Sequence, residues 1–495
     1  MGASTQPAAS SCKDLSPRFA HALYSPGVSR LRAPVLLILA ILAGGLLRFA
    51  NIGRREMSAD EGASWAAASA STISQVLQLQ PRLNPGKFAL HEILLHGWIR
   101  LFGDSLVAMR ALSGLAGILG IVAVFFLTRE LLRVQSALDG GAKATQGDPQ
   151  TLPDTLAAAF AAMLFAVNLI FIKYAQEARM YSVALLCALI QVGCFLRCLY
   201  RPTWIVFLFT ALFTALAVAA TFTMSLILAP ELLWLVYVGR RRHGAIGPRE
   251  LFAGMAVILS FMLLVGPGIM YLHERADAPA LLAYAWASSP PFWAPLSMFN
   301  KATGSIAFPV ALGLAIWGAA CGWRYYREVS VFLMLWMLVP PVLVLAASYL
   351  VRPAFVERYL LASFVPFFVL VAFGIRNLAG LRVQTAVLAL VVFLAMGHDY
   401  SYWRHSHDVQ WHEALQAALA GTGGPITVAP PYAVDVVRYY LHDLSNDRAV
   451  EAGAMKSAAV AIVADSGVSR TEADRLAAAF PRLLTRLRGV IVLGH

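Results

Sequence analysis

The sequence predicts an all-α polytopic membrane protein of about eleven transmembrane helices. A long first extracytoplasmic loop carries interfacial helices, and a small C-terminal α/β domain follows the last span. Composition, the spacing of apolar runs and the placement of basic residues between them carry this reading. Of 495 residues 59% are hydrophobic and 13% charged, with mean hydropathy +0.67, against about 45–50% apolar and 25% charged in a soluble domain. Apolar runs lie near residues 31–50, 106–132, 154–173, 181–199, 203–221, 222–239, 251–272, 304–323, 329–350, 359–375 and 383–399, close to the roughly 20 residues that cross a bilayer. Threaded alternately, they place Arg133, Lys143, Arg197, Arg201, Arg240, Arg241, Arg242, Arg249, Arg324, Arg327, Arg376 and Arg382 on one side. That is the bias of cytoplasmic loops.

The N-terminal tail, 1–30, is expected in the cytoplasm: Lys13, Arg18, Arg30 and Arg32 precede or open the first run, and no apolar stretch near Met1 makes a secretory pattern. The membrane domain then covers 31–399. Within its first outer loop, 51–105, Glu61 to Leu79 is weakly amphipathic through Trp65, Ile73, Val76 and Leu77, and Lys87 to Phe102 is a second such helix. Both are too short or too polar to span and are expected along the interface. Leu138 to Pro153, rich in Gly, Gln and Asp, reads as a linker. From about Tyr400 the chain changes character: helix-like Trp411 to Ala420, apolar Pro425 to Ala429, Ala433 to Leu441, apolar Ala458 to Ala464, amphipathic Thr471 to Leu487, and Val490 to Leu493. Residues 400–495 therefore read as an extracytoplasmic α/β domain.

Composition also excludes function classes. The formal charge of +12 sits mainly between apolar runs, as orientation signals and contacts to anionic membrane lipids require, so nucleic acid is not an expected partner. Cys12, Cys187, Cys194, Cys198 and Cys321 lack metal-ligand spacing, and no cysteine follows Cys321. They form neither a disulfide framework nor a zinc motif. The chain has no phosphate loop, no Asp-x-Asp pair, no Gly-x-Ser-x-Gly and no His-Glu-x-x-His, which argues against a soluble nucleotide substrate.

Directly after the first span comes Met57-Ser58-Ala59-Asp60-Glu61-Gly62. Taken alone, Asp60 is the N-cap of the first interfacial helix. Its company on the outer face points elsewhere: Lys87, Arg179, Arg275 and Arg358 fall there, with Glu177, His91, Tyr181 and Tyr359. Each cation by itself is an interfacial anchor, but together they suit an anionic head group, because Arg offers paired donors to phosphate oxygens and Lys a point charge.

The order of the motifs resembles the GT-C glycosyltransferases. It runs from the basic-flanked span and Ser58-Ala59-Asp60-Glu61 to a Pro-containing loop, Trp98-Ile99-Arg100-Leu101-Phe102-Gly103-Asp104-Ser105 and Met109-Arg110-Ala111-Leu112-Ser113-Gly114. Tyr174 to Tyr181 and Glu357-Arg358-Tyr359-Leu360-Leu361 extend the likeness, which covers 31 to about 400. Nearest are bacterial members akin to protein O-mannosyltransferases and to the aminoarabinose and galacturonic acid transferases of lipopolysaccharide. Many relatives carry a His-Pro-Pro-Leu element where this chain has Leu83-Asn84-Pro85-Gly86-Lys87-Phe88, a departure that bears on the donor sugar rather than on the reaction class. The resemblance implies transfer of a sugar from a polyprenyl-phosphate donor to a lipid, cell-envelope saccharide or protein hydroxyl, on the outer face of a bacterial inner membrane and with inversion at the anomeric carbon. It casts Asp60 as general base with Glu61 as companion. Arg179 and Arg358, with Lys87 and Arg275, become the lipid-phosphate ligands, and Glu177, Tyr181, Tyr359 and His91 further substrate contacts. It calls for no nucleotide or redox cofactor and leaves a divalent metal requirement open. The rival class is a transporter or flippase of lipid-linked saccharides, for which Glu231, after Pro230 inside a span, is the one clear intramembrane carboxylate.

Overall fold

In a computed structural model, residues 26–494 are described except 85–86, 140–154, 244–246, 248–249, 259–288, 351–352, 354, 405–408, 421–425, 430, 445, 447–448, 453–459, 465–477, 479, 481 and 488–489. The first span is α1 (Pro26–Phe49). The outer loop folds into α2 (Ala59–Ala68), α3 (Ile73–Leu83) and α4 (Leu90–Phe102). The long α5 (Leu106–Leu138) re-enters the membrane, followed by α6 (Thr155–Val167), α7 (Leu169–Ala175), α8 (Tyr181–Tyr200), α9 (Trp204–Ala220) and α10 (Leu228–His243). After a helical stretch over 250–258 come α11 (Ala294–Thr303), α12 (Ala307–Tyr325), α13 (Arg327–Leu350), α14 (Phe364–Arg376) and α15 (Leu381–Arg404). Among the described residues seven helices are long and apolar enough to cross a membrane, or nine if each of two bent pairs counts as one span. The chain is a multi-pass membrane protein. Most of the expected seventh span, and the linker from residue 140, lie outside the described residues.

Two of the expected elements are interrupted, each by a polar residue competing for backbone groups. The Glu61–Leu79 helix breaks at Ser69-Ala70-Ser71-Thr72, where Thr72 accepts the Gln75 amide and starts α3; hydroxyl side chains offer the backbone an alternative to the helix ladder. The third span bends by 58° between α6 and α7, because Asn168 caps the second half through Ile170 N while its amide donates to Ala302 O. Arg48, buried in the first span, donates to the carbonyls of Ala166 at 2.8 Å and Phe165 at 3.4 Å on the other side of the bend. These carbonyls, left open by the break, would otherwise be unsatisfied in hydrocarbon.

At the centre of the bundle α6 and α14 are buried on all sides, whereas Leu42 and Leu46 of α1 and Phe393 of α15 are exposed, as lipid-facing surfaces are. Close approach of α12 and α14 depends on two glycines. A Cβ on Gly318 would lie 2.0 Å from Leu370 O, and one on Gly374 2.0 Å from Leu314 O, the small-residue contact that lets membrane helices pack by van der Waals contact.

The C-terminal part is a five-stranded sheet of order β2-β1-β3-β5-β4, from β1 (Ile426–Ala429), β2 (Val450–Ala452), β3 (Val460–Ala464), β4 (Arg482–Leu487) and β5 (Val490–Gly494). Strands β2, β1 and β3 are parallel, and β5 and β4 continue antiparallel. Helices α16 (Trp411–Leu419) and α17 (Val434–Asp443) accompany the sheet. Thr471 to Leu487 reads as amphipathic in sequence; its described end is the edge strand β4, because pairing with β5 outweighs local periodicity.

Candidate active site

The turn after α1 sets the first catalytic candidates. Ser58, not Asp60, caps α2: its hydroxyl accepts Glu61 N, and the Glu61 carboxylate accepts Ser58 N, a full capping box. This corrects the cap assignment and leaves the Asp60 side chain free of the helix end. Asp60 Oδ2 lies 2.9 Å from Arg358 Nη1 and 3.8 Å from Arg179 Nη2. Burial would raise the Asp60 pKa, but Arg179, Lys87 and Arg358 outweigh it and hold the carboxyl down at about 2.

Arg179, in the Gln176–Met180 turn between α7 and α8, is fully buried. Its Nη1 donates to Asp60 O at 2.6 Å, Ser64 Oγ at 2.7 Å and Asn84 Oδ1 at 3.1 Å. Ser64 in turn donates to Glu92 at 3.1 Å. Nε and Nη2 of Arg179 are buried without a hydrogen-bond partner, as is the Tyr181 hydroxyl. Lys87 is half-buried; burial first, then Arg179, push its ammonium down to about 7, while Asp60 pulls the other way. Arg358 is the second residue of a 3-10 turn (Glu357–Ser363) just before α14 and lies 5.6 Å from the half-buried Tyr359 ring.

Glu61 sits behind this group. It is buried and takes Arg110 by two hydrogen bonds, Nε to Oε1 and Nη2 to Oε2, each 2.8 Å. Oε1 also accepts Ala178 N at 2.8 Å. Burial opposes ionisation, yet Arg110 and the backbone donors keep the Glu61 pKa below its usual value. Arg110 further donates to the carbonyls of Ile52, Arg55 and Glu56. His91 also turns to the scaffold, with Nε2 3.2 Å from Ala178 O, and burial lowers its pKa first, with Glu92 opposing. Glu177 is half-buried in the same turn, its carboxyl pushed up to about 6 by burial and by Glu61. Arg275 lies outside the described residues. Glu231, the intramembrane carboxylate, is buried and accepts both hydrogen bonds of Gln191 at 3.1 Å.

So Asp60, Lys87, Arg179, Tyr181 and Arg358 converge, while Glu61 and His91 support them from behind. Sequence reasoning gave no part to Arg110, Ser64, Asn84 or Glu92. Arg110 carried a signal, an arginine inside an apolar run near its outer end, where an ionisable residue needs a partner. The other three had none. Among the described residues no group of three His, Cys, Asp or Glu side chains is placed to hold a metal ion.

The C-terminal unit seats directly on α2. Tyr440 OH accepts Met57 N at 2.9 Å, and Glu56 accepts the amides of Trp411 and His412 at the start of α16. Trp65 packs edge-on to Tyr439 and donates to Asp104, which also meets His442 at 3.2 Å. A Cβ on Gly62 would lie 2.8 Å from Val436 Cγ2 and 2.9 Å from Val436 N. Gly62→Ala is therefore expected to push α17 off α2 and cost about 1–3 kcal/mol, the usual overpacking penalty, read as a lowered Tm of the purified protein.

No protein-family model and no curated protein matches the sequence. Among solved structures the chain is similar to ArnT from Cupriavidus metallidurans bound to undecaprenyl phosphate, at 12% identity and TM-score 0.57 over 92% of this chain and 97% of that one. The apo state of the same protein gives 12% identity and TM-score 0.55 over 93% and 98%. The Archaeoglobus fulgidus oligosaccharyltransferase in complex with Zn and sulfate matches at 12% identity and TM-score 0.52, over 87% of this chain and 68% of that one. Similarity at this identity carries the architecture alone: the chain shares the overall fold of these solved structures.

Proposed function

We propose that the chain is a membrane glycosyltransferase that moves a sugar from a polyprenyl-phosphate donor to a hydroxyl of a lipid, cell-envelope saccharide or protein, at the extracytoplasmic face of a bacterial inner membrane. Binding of undecaprenyl phosphate by the ArnT neighbour agrees with such a donor. The observation that carries the reading is Arg179: a buried guanidinium with two unpartnered donor atoms, beside Asp60, Arg358, Lys87 and the unpartnered Tyr181 hydroxyl. Unmade hydrogen bonds of a buried charged group are costly, and phosphate oxygens would satisfy them.

The Asp60 carboxylate holds the arginines that a phosphate would take, and at about 2 its pKa is too low for an efficient base. Donor phosphate drawing Arg358 and Arg179 away would raise that pKa where an acceptor hydroxyl needs deprotonation. The hydroxyl oxygen then attacks the anomeric carbon, its proton passes to Asp60, and the glycosidic C–O bond to the lipid phosphate breaks. A single displacement inverts the anomeric centre, unlike the two-step route of retaining hydrolases. Arg179, Arg358 and Lys87 stabilise charge on the departing phosphate, preorganised electrostatics being the largest usual contribution. Glu61 holds α2 in place rather than exchanging protons.

The test is release of polyprenyl phosphate by the purified protein in lipid, offered a panel of polyprenyl-phosphate sugars and hydroxyl acceptors. Movement of a lipid-linked saccharide across vesicles without any new glycosidic bond would overturn the reading in favour of a transporter. A pH prediction follows from Lys87. As pH rises through about 7 the ammonium loses its proton, so donor KM should climb above neutrality while kcat changes less, since bound phosphate lifts the lysine pKa again. Lys87→Met should show a raised KM without that dependence.

A further inference from the structure

At the end of the bundle opposite Asp60, a cavity of about 380 Å³ opens among the ends of α5, α10 and α12 and the start of α13. That volume lies in the ordinary range of ligand pockets. Its wall combines three arginines, Arg241, Arg324 and Arg327, with Trp323, Tyr325 and the carboxylates of Glu328 and Asp139. The carboxylates are already engaged. Gln135, buried, donates to Glu328 at 2.7 Å and to both oxygens of Asp139 at 3.1 and 3.0 Å, and accepts Val329 N from the first turn of α13. Arg241 lies 3.4 Å from Glu328.

Arg324 and Arg327 differ. Neither forms an ion pair with a carboxylate among the described residues, and each is held against a ring instead. The Arg327 guanidinium carbon lies 4.5 Å from the Trp323 centroid and that of Arg324 5.7 Å from Tyr325. A guanidinium within about 6 Å of a ring is attracted to its face, and that contact uses none of its N–H donors. Nε of Arg327 is buried without a hydrogen-bond partner. The first turn of the 24-residue α13 adds the positive end of a helix dipole to the same cavity. Arginines that only orient a membrane protein need no shared concavity and no buried Gln135–Glu328 brace beside it.

We propose that this cavity binds a phosphate group, carried by the head group of an anionic phospholipid in the leaflet opposite the Asp60 site. Arg324 and Arg327 would take the phosphate oxygens, with Gln135 and Arg241 holding the carboxylates back from it. A basic pocket between transmembrane helices at head-group depth is the setting in which such recognition occurs. The site stands independently of the sugar-transfer reading, because none of its residues belongs to the Asp60 group.

The test is titration of the full-length, detergent-purified protein with phosphatidylglycerol, lipid adducts being counted by native mass spectrometry. Wild type should show a saturable adduct, and Arg324→Gln with Arg327→Gln should weaken it about tenfold or more, the scale of lost charge-assisted hydrogen bonds. The charge-matched control Arg197→Gln with Arg201→Gln should not. Arg324→Gln alone, at an exposed position, serves if the double variant does not fold. Competition by glycerol 3-phosphate would support a phosphate site open to soluble ligands as well; no competition would support a site requiring the lipid. Equal weakening in the control pair, unchanged binding in the cavity variants, or equal binding of uncharged diacylglycerol would each overturn the proposal.

Discussion

Asp60→Asn is expected to lower sugar transfer by about 10²- to 10⁴-fold, the range of a general-base contribution, while donor binding stays intact or tightens. The second half of that expectation distinguishes a base from a mere anchor. Asp60 Oδ2 now holds Arg358 at 2.9 Å and neighbours Arg179 at 3.8 Å, so the carboxylate competes with incoming phosphate for both cations. An amide of the same shape competes less. Single-turnover transfer measured beside the donor Kd checks both parts. Full transfer in the variant would remove Asp60 from the chemistry, and weaker donor binding with an unchanged chemical rate would make it a binding residue.

Glu61→Gln and Arg110→Leu should each cost about 3–5 kcal/mol, because each strands a buried charge. Both side chains are almost wholly buried, at 1% and 3% exposure. Their pair joins three segments far apart in sequence: the turn with the carbonyls of Ile52, Arg55 and Glu56 that leads into the cap of α2, the start of α5, and the amide of Ala178. Substituting both partners by apolar residues should recover only part of the loss, since those carbonyls would still lack Arg110. The measurement is the thermal unfolding of each purified variant against wild type. A Glu61→Gln protein with normal stability but no turnover would instead give Glu61 a part in the reaction.

Much of the site was legible because its logic is one of charge and membrane. Cations on one face and no nucleotide motif were enough to bring Asp60, Lys87, Arg179 and Arg358 into one proposal, and these do converge. Glu61 was harder. Adjacent in sequence to Asp60, it points away from it, because consecutive residues on a helix lie about 100° apart and do not share a face. His91 turned out to serve Ala178 O, a contact that no pattern around residue 91 announces.

By itself, the sequence determined the multi-pass helical character of the chain and a small C-terminal α/β part, though not the eleven spans it suggests against seven to nine among the described residues, because burial in lipid requires apolar runs of a set length and the basic residues between them cannot cross. Only the tertiary structure decided which ionisable groups react to one another. The bend at Asn168, braced by Arg48, brings the Arg179 turn over Asp60; Arg110 locks Glu61 away from it; and α17 presses on Gly62 from 374 residues downstream at Val436. Each is a contact between distant segments, set by packing and by the need to satisfy buried polar groups, and none of the three leaves a periodicity in the chain.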